Sequence, residues 1–259
     1  MGDSATKAKN FIWREDRYRD IFRTSEKNEL LVKIWRDAFG EDYPEEADPF
    51  GFVTIPDLKR FSEELKLERG NTLLDIGCGR GGPGLWVARK TGAVLIGIDV
   101  VPEAISQANR LKATQEGGET ATFAVGSFTD TCLPSASVQA IMSVDSFWMV
   151  LDKTSALEEM ARVIQPSGRF VMTTWVSPYL SVESMLNAAG FDLLTYEETP
   201  GWKERQMAVY SSILKNRNEL AKAIGDSATE VLIAEAEQTP AQLSSSPRCF
   251  IAAQRKAQA

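Results

Sequence analysis

Twelve residues, LLDIGCGRGGPG from Leu73 to Gly84, constrain this chain more than any other part of it. Leu73, Leu74 and Ile76 around Asp75 read as a short strand, and Gly77, Gly79, Gly81 and Gly82 follow in a turn. A backbone without Cβ atoms accepts positive φ and lets a ligand approach the main chain closely. An acidic residue directly before such a turn narrows what that ligand can be.

From about Asn71 the chain alternates β-rich runs with helical patterns, which predicts a parallel sheet with helices on both faces. The strands are TLLDIG, VLIGIDV, ATFAVGS, QAIMSVDS, RFVMTTW, DLLTYEE and RCFIAAQRK. PEAISQANRLKAT opens a helix with proline, as a first turn allows. TSALEEMARVI carries Leu157, Met160, Ala161 and Ile164 on one face, with Ser155 and Glu158 as its capping box. Thr54 and Asp57 flank Pro56 at another helix start. Residues 1–54 are expected to form a helical cover carrying Trp13, Phe22, Leu30, Leu31, Ile34, Trp35 and Phe39, mobile about a hinge in GEDYPEEADPFG. Residues 55–259 are expected to form one Rossmann-like domain with a seven-stranded, mostly parallel sheet and a helical insertion at about 200–246 before the last strand.

Composition excludes several classes. A formal charge of −7 argues against a nucleic-acid partner and an anionic membrane surface. No apolar run approaches the roughly 20 residues of a spanning helix, and no charged-then-apolar leader opens the chain, so a cytoplasmic protein is expected. The three cysteines, Cys78, Cys132 and Cys249, are too scattered for a disulfide framework or a zinc site, and no metal is expected. The oligomeric state stays open, a homodimer included. Histidine, the commonest general base, is absent.

Gly77, Gly79 and Gly82 also satisfy the dinucleotide fingerprint, which alone is a weak signal. Asp75 decides against it, because a carboxylate beside the turn repels a pyrophosphate and suits an ammonium group. Asp99 ends the next strand 22 positions after Gly77, near the offset of roughly 20 at which an acid meets ribose hydroxyls. An adenosine joined to an amino-acid ammonium instead of to phosphates is S-adenosylmethionine.

On these residues, LLDIGCGRGGPG followed by VLIGIDVVPEAISQA, the chain resembles the class I S-adenosylmethionine-dependent methyltransferases, in particular their small-molecule branch. The resemblance spans about Asn71 to Trp175. It implies that Asp75, Gly77, Gly79 and Gly81 form the family's acidic-glycine motif and Asp99 its ribose-binding acid, with Cys78, Val100 and Val144 beside them. It also implies that GSFTDTCLP brackets the adenine, with Phe128 near the ring; Ser127 stands where an aspartate is common, and Asp130 is a candidate acceptor for the adenine amino group. The product would be S-adenosylhomocysteine.

Residues just beyond the strands' carboxyl ends outline a substrate pocket. Phe147, Trp148, Trp175, Tyr179 and Trp202 fall there, with Trp13 and Tyr18 from the cover, which predicts a small hydrophobic or aromatic substrate of specialised metabolism. Methyl displacement from a sulfonium needs alignment more than acid catalysis, and a base only where the nucleophile must lose a proton. Without histidine, the candidate bases are Asp145, Tyr18, Tyr179 or a glutamate the sequence does not single out. Carbon or nitrogen is therefore expected as the methylated atom ahead of an unactivated hydroxyl. O-methylation with a non-histidine base, an NAD(P)-dependent oxidoreductase and a methyltransferase-like fold without methyl transfer remain the alternatives.

Overall fold

The computed structural model describes residues 15–26 and 28–257. Trp13 lies outside them, as does the first part of the expected cover. Two helices come first, α1 (Glu15–Thr24) and α2 (Glu29–Phe39). Asn28 caps α2 by accepting from the Leu30 and Leu31 N–H groups, both at 3.1 Å. Helix α3 (Ile55–Glu64) starts on a reciprocal capping box: Thr54 Oγ1 accepts from Asp57 N–H at 3.2 Å and Asp57 Oδ2 from Thr54 N–H at 3.1 Å.

The alternating part then runs β1 (Thr72–Ile76), α4 (Gly82–Thr91), β2 (Val94–Asp99), α5 (Pro102–Lys112), β3 (Ala121–Val125), β4 (Val138–Val144), α6 (Lys153–Val163), β5 (Ile164–Trp175), α7 (Val182–Ala188) and β6 (Phe191–Glu198). Four helices, α8 (Trp202–Lys215), α9 (Arg217–Ile224), α10 (Asp226–Gln238) and α11 (Pro240–Leu243), precede β7 (Arg248–Arg255). The expected insertion is thus helical throughout. The cap of α6 differs from the expectation: Asp152 is the N-cap, accepting from Ser155 N–H at 3.0 Å and from Ser155 Oγ at 2.7 Å. A carboxylate one position before the helix reaches the orphan N–H groups, and Ser155 becomes its donor.

All seven strands join one sheet in the order β3-β2-β1-β4-β5-β7-β6, parallel except for β7, which runs antiparallel to β5 and β6. Strand β1 pairs with β2 on one side and β4 on the other, so the direction of winding reverses there and a crevice opens at the carboxyl ends of β1 and β4. Side-chain alternation splits the core. Leu73 packs with Phe61, Leu85 and Ile105 on one face, and Leu74 packs with Leu157, Met160 and Phe170 on the other. Each such buried side chain contributes about 1.5–3 kcal/mol relative to exposure. A third core lies off the sheet, where Leu31, Ile34 and Trp35 of α2 meet Val209, Tyr210 and Ile213 of α8 and Leu232 of α10.

Arg248, at the start of β7, is fully buried and ties these parts together. Its Nε donates to Asp145 Oδ1 at 2.8 Å, and its Nη1 to Asp57 Oδ2 at 3.0 Å and to Thr199 Oγ1 at 3.1 Å. Asp145 Oδ2 also accepts from Phe52 N–H at 3.0 Å. One guanidinium therefore holds the end of β4, the cap of α3 and the entry to α8. Arg248→Met is expected to leave two interior carboxylates unpaired and to cost about 3–5 kcal/mol in urea unfolding. A loss under about 1 kcal/mol would show that the clasp carries little of the stability.

Candidate functional site

The crevice at β1 and β4 is the floor of a cavity of about 520 Å³. Gly77, Gly79, Asp99, Val100, Ser127, Phe128 and Val144 line it from the strand ends, while Tyr18, Trp35, Phe50, Phe52, Trp175, Tyr210 and Glu235 close it from the helical side. A smaller hollow beneath the glycine turn is bordered by Asp75, Gly77, Cys78, Gly79 and Arg80.

The turn is built for close approach. Gly77 has φ +72°, and a Cβ there would stand 2.3 Å from Ser146 Oγ. Gly81 has φ +79°, and its Cβ would fall 2.5 Å from the Phe123 ring, so this glycine serves helix packing away from the cavity. Asp99 braces the turn, its Oδ2 accepting from Gly79 N–H at 2.8 Å and its Oδ1 from Val101 N–H at 2.9 Å.

Asp75 is 1% exposed, and neither of its carboxylate oxygens meets a hydrogen-bond partner. Burial raises its pKa to about 8, the negative Asp99 adds to the rise, and the nearby Gly84 N–H offsets it only in part. A buried carboxylate without a partner is costly unless a cation or donor arrives to meet it. Arg80, within the turn, is buried. It lies 5.6 Å over the Phe50 ring, with Nη1 3.9 Å from Asp48. The reason is that the segment before α3 folds over the glycine turn.

Of the aromatic candidates, Trp148 and Trp175 line the cavity in an edge-to-face pair with centroids 5.8 Å apart. Phe147 lies one layer below, buried against Phe128 at 5.7 Å. Trp202 packs in the helical core away from the cavity, with Nε1 donating to Glu198 Oε1 at 2.6 Å. Tyr179 is 96% exposed and does not line the cavity. Asp130 is exposed and lies off it too, its Oδ1 accepting from Cys132 N–H at 3.2 Å.

The candidate bases separate by their surroundings. Asp145 lies on the cavity edge with φ +55°, but both of its oxygens accept from Arg248, which makes it a clamp. Tyr18 faces the cavity, and burial, with Glu235, Tyr210 and Asp99 nearby, pushes its phenol well away from ionising. The cavity-facing glutamate is Glu235, on the inner face of α10 among Val231, Leu232 and Ala236. That position, three after Leu232 and four after Val231, was a readable signal of a carboxylate on an apolar face.

Residues 74–172 match a sequence family described as a methyltransferase domain. The chain is 34% identical over 119 residues to a chloroplastic tocopherol O-methyltransferase of Arabidopsis thaliana, covering 46% of this chain and 33% of that protein. It is 31% identical over 149 residues to the methyltransferase GfsG of Streptomyces halstedii, covering 56% of this chain and 53% of that one. It thus spans a third to about half of the length of these curated relatives. The solved structure of the [4+2]-cyclase SpnF shares the fold with a TM-score of 0.74 at 18% identity, over 94% of this chain and 95% of that one. The segment that matches a methyltransferase domain, residues 74–172, is the part of the chain that wraps around the winding reversal of this sheet and carries the glycine turn.

Proposed function

We propose that this chain transfers a methyl group from S-adenosylmethionine to a small hydrophobic or aromatic molecule of specialised metabolism. The observation that carries the reading is the unpartnered, buried carboxylate of Asp75 beneath the glycine turn, opposite Asp99. It asks for the ammonium that a dinucleotide lacks. Asp75 would hold that ammonium, Asp99 the ribose hydroxyls, and Phe128 with Ser127 the adenine. When bound, S-adenosylmethionine supplies an electrophilic methyl on a sulfonium that leaves as a neutral thioether.

The chain's own contribution is orientation and exclusion of water. Phe52, Trp148 and Trp175 give the far end of the cavity an apolar surface, and ring faces there favour a nearby positive charge. Among the described residues no helix is long and apolar enough to cross a membrane. The expected preference for carbon or nitrogen rested on the missing histidine. A glutamate on the cavity wall takes that ground away, and hydroxyl substrates come into consideration on equal terms. The name of the Arabidopsis relative, an O-methyltransferase, agrees with that.

Asp99→Asn is expected to weaken S-adenosylhomocysteine binding about 10- to 100-fold in calorimetry, since a charged hydrogen bond contributes about 1.5–3 kcal/mol. Unchanged affinity in a folded variant would remove the ribose assignment.

Asp75 makes a pH-dependent prediction. Its folded pKa is raised to about 8 from an ordinary value of 3.8. Folded protein therefore binds this proton more tightly than unfolded protein does. The resulting penalty is absent below the unfolded pKa, grows as pH rises between the two values, and levels off above the folded one. Between pH 5.5 and 8 the ligand-free wild type should lose about 2–3 kcal/mol that Asp75→Asn retains, read from urea midpoints. The same variant should lose cofactor binding. Parallel pH curves for the two proteins, or full affinity in the variant, would count against the role given to Asp75.

A further inference from the structure

We infer that Glu235 is the general base of this site, accepting the proton of a hydroxyl-bearing substrate as its oxygen is methylated. The inference rests on the methyl-transfer reading and adds to it the substrate class and the residue that makes that class accessible.

A directed hydrogen-bond chain carries the argument. Trp175 Nε1 contacts Gln206 Oε1 at 3.1 Å, Gln206 Nε2 contacts Tyr210 Oη at 2.8 Å, and Tyr210 Oη contacts Glu235 Oε1 at 2.8 Å. An indole N–H can only donate, so the Gln206 oxygen must face it and the Gln206 amide N–H must donate to Tyr210. Tyr210 then accepts from one side and turns its own proton to Glu235. The chain ends on Glu235 as an acceptor, oriented by α8 and exposed to the cavity that also contains Asp99.

The other cavity carboxylates are committed elsewhere. Asp99 braces Gly79 and Val101, Asp145 is clamped by Arg248, and Asp152 caps α6. The groups facing Glu235 are Tyr210 from α8 and Tyr18 from α1, with Asp99 beyond Tyr18, and neither phenol competes as a base because burial opposes its ionisation. Burial raises Glu235 to about 7, and the Tyr210 hydrogen bond pulls the other way. A base with that affinity is half available at neutral pH and holds the proton once taken.

The step balances. A lone pair of the substrate oxygen forms the new O–CH₃ bond, the C–S bond breaks with its electron pair left on sulfur, and the hydroxyl proton passes to the Glu235 carboxylate, to be released later to solvent.

Two measurements test it. Infrared difference titration of the ligand-free protein should show a carboxyl that deprotonates near pH 7, missing in Glu235→Gln and moved to higher pH in Tyr210→Phe, with the Asp75 signal subtracted through Asp75→Asn. Single-turnover methyl transfer to 1- and 2-naphthol should show a rate that rises through the same pH. Glu235→Gln should lose that limb and at least 100-fold in rate while keeping its affinity for S-adenosylhomocysteine. The inference is overturned if no carboxyl dependent on Glu235 titrates between pH 6 and 8, if Glu235→Gln keeps the wild-type rate and limb, or if a wild type that binds the cofactor methylates neither naphthol. Failure of the underlying methyl-transfer reading appears differently, as a wild type that binds neither S-adenosylmethionine nor S-adenosylhomocysteine.

Discussion

The rest of the structure hangs on one buried cation. Arg248 cannot shed its charge, and its fully buried position obliges the fold to surround it with acceptors. The acceptors it takes come from distant places in the chain: Asp57 at the cap of α3, Asp145 after β4 and Thr199 before α8. Asp145 passes the constraint on through Phe52 N–H, and Phe52 in turn meets Trp175 at 5.7 Å and Tyr210 at 6.0 Å. The aromatic wall of the cavity is thus fixed from beneath by an ion pair whose arginine is fully buried and whose aspartate lies at the cavity edge.

Four carboxylates in or beside the cavity illustrate how surroundings assign work to one functional group. Asp75 is buried with little more than the Gly84 N–H near it, Asp99 accepts one backbone N–H on each oxygen and keeps lone pairs for further donors, Asp145 is paired with Arg248, and Glu235 sits in an apolar wall with a phenol for company. Burial acts on both Asp75 and Glu235 in the same direction, yet their neighbours differ: a second acid for one and a hydrogen-bond donor for the other. The chemistry available to each follows from that difference.

The strands and the glycine turn were legible because their signals are local. A run such as Cys249 to Ala253 is buried throughout, as a strand covered on both faces requires, and the spacing of Asp99 from Gly77 is set by one βαβ unit. The fates of Asp145 and Arg80 were not legible. Asp145 is decided by an arginine 103 positions away, and Arg80 by a loop that folds back over it from Asp48 and Phe50. Strand-end position pointed equally to Trp148, which reaches the cavity, and to Tyr179, which points to solvent. The apolar face of α10 that carries Glu235 was readable from its spacing to Val231 and Leu232, but that this face meets the cavity depended on helices the local pattern did not contain.

That docking has a temporal side. The core shared by α2, α8 and α10 unites residues that precede strands β1 to β6 in the chain with residues that follow them. A ribosome releases α1 and α2 early, but the surfaces against which their apolar faces pack emerge only after all but the last strand of the sheet has been made. While the sheet strands β1 to β6 are being made, Leu31, Ile34 and Trp35 have no native partner in α8 or α10, and β7, with the arginine that fixes the site, follows those helices. Assembly of the cavity therefore waits for β7, and a nascent chain stalled before Arg248 would carry a sheet of five paired strands, with β6 lacking its neighbour and the roof helices lacking the arginine that anchors them.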